Sequence, residues 1–281
     1  MSWTSVAVAG AAFCISGAAA SAQTPANGRY ARVNGLSMYY EIHGRGDALV
    51  LIHGGGSTIG TTFGRILPML ARDFKIIAVE LQGHGHTGDR ASAESFEQDA
   101  DDVAALLQYL NIPRASFFGF SNGGNAAVQI AVRHPSIVSK LVLASTFYRK
   151  DGLVPGFFDG LQKATLNDMP RQLKDAFMQA TPDSSKLLAM FNNDRNRMLR
   201  FVDWKEETVS SITAQTLIIN GDRDVIQAGH ALAMAKLIPD SRLMILPATH
   251  GSYIGVAESL EPASALISLT AEVIREFLLK Q

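Results

Sequence analysis

Four short stretches of the sequence carry residue types that together could attack a carbonyl carbon. They are His53-Gly54-Gly55-Gly56, Gly119-Phe120-Ser121-Asn122-Gly123, Gly221-Asp222-Arg223-Asp224, and His250 after Pro247-Ala248-Thr249. A serine hydroxyl is a weak nucleophile until a base takes its proton. The base needs a carboxylate to fix its tautomer and steady its positive charge, and the oxygen that turns negative needs backbone N–H donors. Each stretch follows an apolar, strand-like run, so the edge of one sheet could gather all four.

Ser121 is the candidate nucleophile. Glycines two residues before and after it leave room for the sharp strand-to-helix turn that would expose its hydroxyl. Of the seven histidines, His250 is the best base, because a loop after the last strand can reach across to a neighbouring strand's end. His53 is expected to shape the glycine loop, and His84 and His86 to hold their own loop by hydrogen bonds, with contact to substrate or an overlying segment as the lesser reading. His43, His134 and His230 fall in a hairpin and in helices, away from Ser121. The carboxylate comes from the third stretch, with Asp224 favoured and Asp222 read as a turn residue bonding local N–H groups. The oxyanion donors are expected to be the N–H of Asn122 and one from the glycine loop, chiefly Gly55, with Gly54 or Gly56 as alternatives.

The elements that must position these residues alternate. Residues 30–33 and 38–42 read as a hairpin around Asn34-Gly35. Residues 48–52 and 74–80 are continuous apolar runs of the kind buried on both faces of a sheet. Further strands are expected at 115–120, 140–144, 216–220 and 242–246. Helices are expected from Ser95, with Gln98 completing a capping box, at 125–132 before Pro135, at 228–238, and at 264–279. Alternation of this kind predicts an α/β fold, a mostly parallel sheet with helices on both faces. Residues 147–212 break the rhythm with helical patterns rich in Met and Phe, read as a helical cap inserted in a core of 23–146 and 213–281. Most of those apolar side chains should hold the cap together, and a subset should line a substrate pocket.

Residues 1–22 carry no charged side chain and end in Ala20-Ser21-Ala22, which reads as a signal peptide cleaved after Ala22 and an exported protein. Cys14, the single cysteine, would leave with it, so no thiol nucleophile remains. That apolar run is too short to span a membrane, and stable membrane insertion is not expected. A net charge of −1 gives no electrostatic case for nucleic acid or an anionic membrane. The hydrophobic fraction of 47% suffices for a sizeable core.

With these motifs assembled, and with Gly83-His84-Gly85 and Gly124 added, the chain from about residue 30 onward resembles the α/β-hydrolase superfamily. It looks most like the capped members that include esterases, lactonases and carbon–carbon bond hydrolases. The resemblance implies Ser121, Asp224 and His250 as a catalytic triad, Gly55 and Asn122 as the oxyanion hole, and no metal or organic cofactor. Two departures stand out. Glu80-Leu81-Gln82 replaces the Asp and Arg of many members, and Asn122 replaces a frequent Met, Leu or Gln. The expected activity is hydrolysis of a small-molecule carboxylic ester through an acyl-enzyme. A lactone hydrolase is the nearest alternative, then a cofactor-free lyase, perhydrolase or C–C hydrolase, and outside enzymes a non-catalytic ligand-binding protein. Haloalkane dehalogenase and epoxide hydrolase chemistry is disfavoured, because those relatives need a carboxylate where Ser121 stands.

Overall fold

The computed structural model describes residues 27–259 and 265–280. The expected leader and Cys14 lie outside the described residues. The chain opens with β1 (Gly28–Val33) and β2 (Leu36–His43), joined through Asn34 and Gly35. Both turn residues have positive φ, 46° and 80°, as a tight hairpin requires. Then follow β3 (Asp47–Ile52), α1 (Ile59–Phe63), α2 (Leu67–Leu70), β4 (Phe74–Val79), α3 (Phe96–Tyr109), β5 (Ala115–Phe120), α4 (Asn122–Arg133) and β6 (Val138–Ala144). Four helices intervene before the sheet resumes: α5 (Phe157–Lys163), α6 (Arg171–Ala180), α7 (Ser184–Leu199) and α8 (Glu206–Ser210). The chain closes with β7 (Gln215–Arg223), α9 (Ala228–Leu237), β8 (Ser241–Thr249) and α10 (Ala265–Leu279).

The eight strands form one sheet in the order β1-β2-β4-β3-β5-β6-β7-β8. Only the β1–β2 and β2–β4 pairings are antiparallel, and the rest are parallel. Side chains alternate between two apolar layers, as the period of a strand demands. Val50, Ile52, Phe117 and Leu143 face the layer that α3, α4 and α9 cover. Leu49, Leu51, Phe118 and Val142 face the layer covered by α1, α2 and α10. Burial on both faces explains why the strands read as unbroken apolar runs.

The structure departs from the sequence reading at several points. Helices α1 and α2 span five and four residues, too short to show a helical period. At α3, Ser95 accepts from the backbone N–H of Gln98, but the Gln98 side chain reaches forward to Asp102 at 3.0 Å, so the capping box is half formed. Helix α4 starts at Asn122, three residues before the expected 125, because the chain turns into a helix at Ser121 itself. His134 caps the C-terminal end of α4 rather than lying inside a helix. Strands β7 and β8 extend to Arg223 and Thr249, past the expected ends, because Arg223 pairs with Thr249 beyond a register shift. Between β6 and β7 the chain is helical apart from short turns and an isolated bridge from Leu153 to Ile226. There Met169, Leu173, Phe177, Leu187 and Met190 form a cluster of their own.

Candidate active site

Parallel strands put their C-terminal ends on one side of the sheet, and loops leaving that side converge. Ser121 sits at the end of β5 with φ 53° and ψ −121°, a strained conformation for a residue with a Cβ. The turn closes because its neighbours lack side chains. A Cβ on Gly119 would lie 2.2 Å from the Gly123 carbonyl oxygen, and one on Gly123 would lie 2.1 Å from that of Ile52. The Ser121 N–H donates to Ala144 O on β6, at 2.9 Å, which pins the turn to the neighbouring strand.

His250, one residue past β8, brings Nε2 to 3.1 Å from Ser121 Oγ and Nδ1 to 2.7 Å from Asp224 Oδ1. The three sequence-predicted side chains thus lie in one hydrogen-bonded chain, although Ser121 and His250 are 129 residues apart. The Asp224 side chain is fully buried and the His250 side chain 27% exposed. Asp224 Oδ1 also accepts from Ile226 N–H at 3.0 Å, and Oδ2 accepts from Ser145 Oγ at 2.5 Å. Ser145 Oγ lies 2.7 Å from the buried Tyr253 hydroxyl. Burial works against ionisation at both positions, but mutual attraction outweighs it. It holds the Asp224 carboxyl below its ordinary value and the His250 imidazole above its own. A hydroxyl, an imidazole and a carboxylate so arranged can move a proton from oxygen to ring nitrogen and hold the resulting charge.

Asp222 is not a turn residue. It lies within β7, and its Oδ1 accepts from Ala248 N–H of β8 at 3.0 Å, bridging the irregularity in the ladder. Among the glycines after β3, Gly54 N–H is directed at Thr62 Oγ1 and Gly56 N–H at His84 Nε2. Gly55 N–H has no acceptor among the described residues. Asn122 opens α4, where the first-turn N–H groups have no intrahelical acceptor.

His53 and His84 form the framework of this loop. His53 donates from Nδ1 to Gly54 O at 2.7 Å and accepts from Leu81 N–H at 3.0 Å. His84 donates to Gln82 O at 2.8 Å, and burial lowers its affinity for a second proton. Burial pushes His53 down to about 3, so it stays neutral and keeps both roles. His86 bonds Glu80 at 2.9 Å and stacks on Tyr39. The Glu80 departure serves the same loop, since its carboxylate also accepts the His86 N–H.

Sequence reasoning missed Ser145, Tyr253, Asp194 and Arg197. Asp194, on α7, accepts from Asn122 Nδ2 at 3.0 Å and is paired with Arg197 one turn on. The one signal for this was Asn122 itself, a short amide where the superfamily it resembles frequently has Met, Leu or Gln. A cavity of about 250 Å³ lies between Gly55, Gly56 and the helices of the β6–β7 segment, with Met169, Met190, Phe191 and Met198 in its wall. Among the described residues no group of three or more His, Cys, Asp or Glu side chains is arranged to hold a metal ion.

Known proteins extend the comparison. The pimeloyl-[acyl-carrier protein] methyl ester esterase of Vibrio atlanticus is 32% identical over 155 residues, covering 55% of this chain and 58% of that protein. The 2-hydroxymuconate semialdehyde hydrolase of a Pseudomonas species (strain CF600) is 25% identical over 276 residues, covering 90% and 95%. The chain spans 34% of the length of its uncharacterized mycobacterial relatives, which are 35% identical over 117 residues, 42% of this chain. The enol-lactonase of Burkholderia xenovorans LB400 superposes with a TM-score of 0.68 at 23% identity, covering 90% of this chain and all of that one. Among the described residues no helix is long and apolar enough to cross a membrane. A family model described as the alpha/beta hydrolase fold matches residues 47–189, just over half of the chain. With the strand order and the turn at Ser121, this match means that the chain belongs to the α/β-hydrolase family.

Proposed function

We propose that the protein hydrolyses a small-molecule carboxylic ester through a serine acyl-enzyme. The observation that carries the reading is the hydrogen-bonded chain Ser121–His250–Asp224. Ser121 Oγ attacks the ester carbonyl while His250 Nε2 takes its proton, and Asp224 steadies the imidazolium. The N–H groups of Gly55 and Asn122 receive the oxyanion. His250 then protonates the departing alcohol, and a water molecule repeats the sequence to free the acid. Helices α5 to α8 act as the cap, and the methionine-lined cavity beneath them takes an apolar part of the substrate. The leader reading of residues 1–22 adds that the enzyme works after export.

A lactone is the second reading, since an internal ester needs the same machinery and a lactonase shares the fold. Assaying open-chain esters beside lactones of matched size separates the two. The serine mechanism is tested with Ser121→Ala. This variant is expected to keep the parent's melting temperature, lose labelling by a fluorophosphonate, and lose turnover of p-nitrophenyl butyrate by a factor on the order of 10⁵ or more. Undiminished turnover would end the assignment.

A further inference from the structure

The amide side chain of Asn122 is not needed for a backbone donor, since any residue after the serine supplies an N–H. Yet it is 5% exposed and aimed at α7, where its Nδ2 donates to Asp194 Oδ1 at 3.0 Å. The other oxygen of the same carboxylate closes against Gly55. A Cβ there would lie 2.4 Å from Asp194 Oδ2 and 2.5 Å from Asn122 Nδ2, so the glycine backbone packs directly on this pair. One carboxylate from α7 therefore touches both residues whose N–H groups are assigned to the oxyanion. Asp194 is itself held. Arg197, 4% exposed, pairs with it and binds Asp99 of α3 at 2.7 Å, while its guanidinium lies 4.9 Å from the Phe96 ring. The guanidinium also offsets a negative charge that would otherwise oppose a forming oxyanion.

We propose that Asp194 is a positioning residue for the oxyanion site, fixing Asn122 by a hydrogen bond and Gly55 by contact, so that turnover depends on α7 being seated. This rests on the serine-hydrolase reading above. Asp194 touches no reacting atom in this scheme and acts through the two backbone donors. If α7 is displaced, the donors lose their brace. When it settles, they regain it.

Kinetics on the full chain test this. Asn122→Ala keeps the backbone N–H and removes the anchor. It is expected to lower kcat about tenfold with KM within about twofold, because the lost interaction matters in the transition state. Asp194→Ala should do the same, and the double variant should lose about tenfold rather than a hundredfold, since coupled residues do not add. Asp194→Asn keeps an acceptor for Asn122 and should restore kcat to within about threefold of the parent. A purely structural role would lower the melting temperature and leave kcat per folded molecule unchanged. Parental kcat in Asn122→Ala overturns the proposal, and so do independent, multiplying losses. Loss of turnover in Ser121→Ala beside either result confines the failure to Asp194, whereas turnover surviving in Ser121→Ala overturns both readings.

Discussion

At the scale of single residues, the mechanism proposed above makes turnover depend on the ionisation of His250. The imidazole must be neutral to accept the Ser121 proton. Burial lowers its proton affinity, and the Asp224 carboxylate more than compensates, so its value lies above the ordinary 6.5. The rate kcat/KM should accordingly rise with pH through an ionisation above 6.5, with the protonated, inactive form dominant below it. Asp224→Asn removes the larger compensating charge and leaves burial opposed only by Glu258, so the same limb should move to lower pH. The neutral amide also permits the wrong tautomer, and kcat should fall by a factor on the order of 10³ to 10⁴. A pH–rate profile of parent and variant reads both effects. Ser121, Asp224 and His250 could be picked from the sequence because residue type and position after a strand single them out. Ser145 could not. Its hydroxyl reaches Asp224 across 79 residues, and serines are too common for position alone to mark one.

At the scale of elements, the strand-to-helix turn from β5 to α4 depends on how closely it meets β3. A Cβ at Gly123 would lie 2.1 Å from Ile52 O and 2.4 Å from His53 O, both backbone atoms that cannot move aside. Gly123→Ala should therefore cost about 1–3 kcal/mol of stability in urea unfolding, as overpacking does, and displace the end of β3 that leads into the Gly55 loop. Its kcat should fall with its stability. Gly124 offers an internal contrast. A Cβ there meets Thr146 Oγ1 at 2.0 Å and Thr146 Cβ at 3.1 Å, so the closest clash is with a side chain, buried and β-branched, rather than with backbone. Gly124→Ala should thus be the milder change. The long strands were legible because burial on both faces makes their sequences continuously apolar. Helices α1 and α2 were not, since five and four residues hold scarcely more than one turn and no repeat.

At the scale of the whole molecule, a buried group of charges joins the β6–β7 segment to the sheet domain. Glu94, which precedes α3, belongs to it. Neither of its carboxylate oxygens has a hydrogen-bond partner among the described residues. Burial pushes its carboxyl well above the ordinary 4.5, although Arg197 pulls the other way. The folded chain thus holds this proton more tightly than the unfolded one. The stability it contributes is complete below pH 4.5 and is lost as pH rises through the folded value. Glu94→Gln removes the ionisation while keeping the shape. The variant should gain more in melting temperature over the parent at about pH 8.5 than at about pH 5. A gain independent of pH would show that Glu94 is not protonated in the fold.

The amino-acid sequence by itself pointed to the α/β class and to the strand-to-helix turn at Ser121, and it favoured the carboxylate and the histidine, Asp224 and His250, that hydrogen-bond in line with that serine. Those features rest on local rules, namely apolar periodicity, room left by glycine, and the residue types that proton transfer demands. Only the tertiary structure decided that Asp222 bridges β7 to β8, that Gly55 rather than Gly54 or Gly56 keeps an uncommitted N–H, and that Asn122 is anchored to α7. Each of these is a pairing between groups far apart in the chain. Which distant donor meets which acceptor is set by how strands register and helices pack, and no local pattern encodes it.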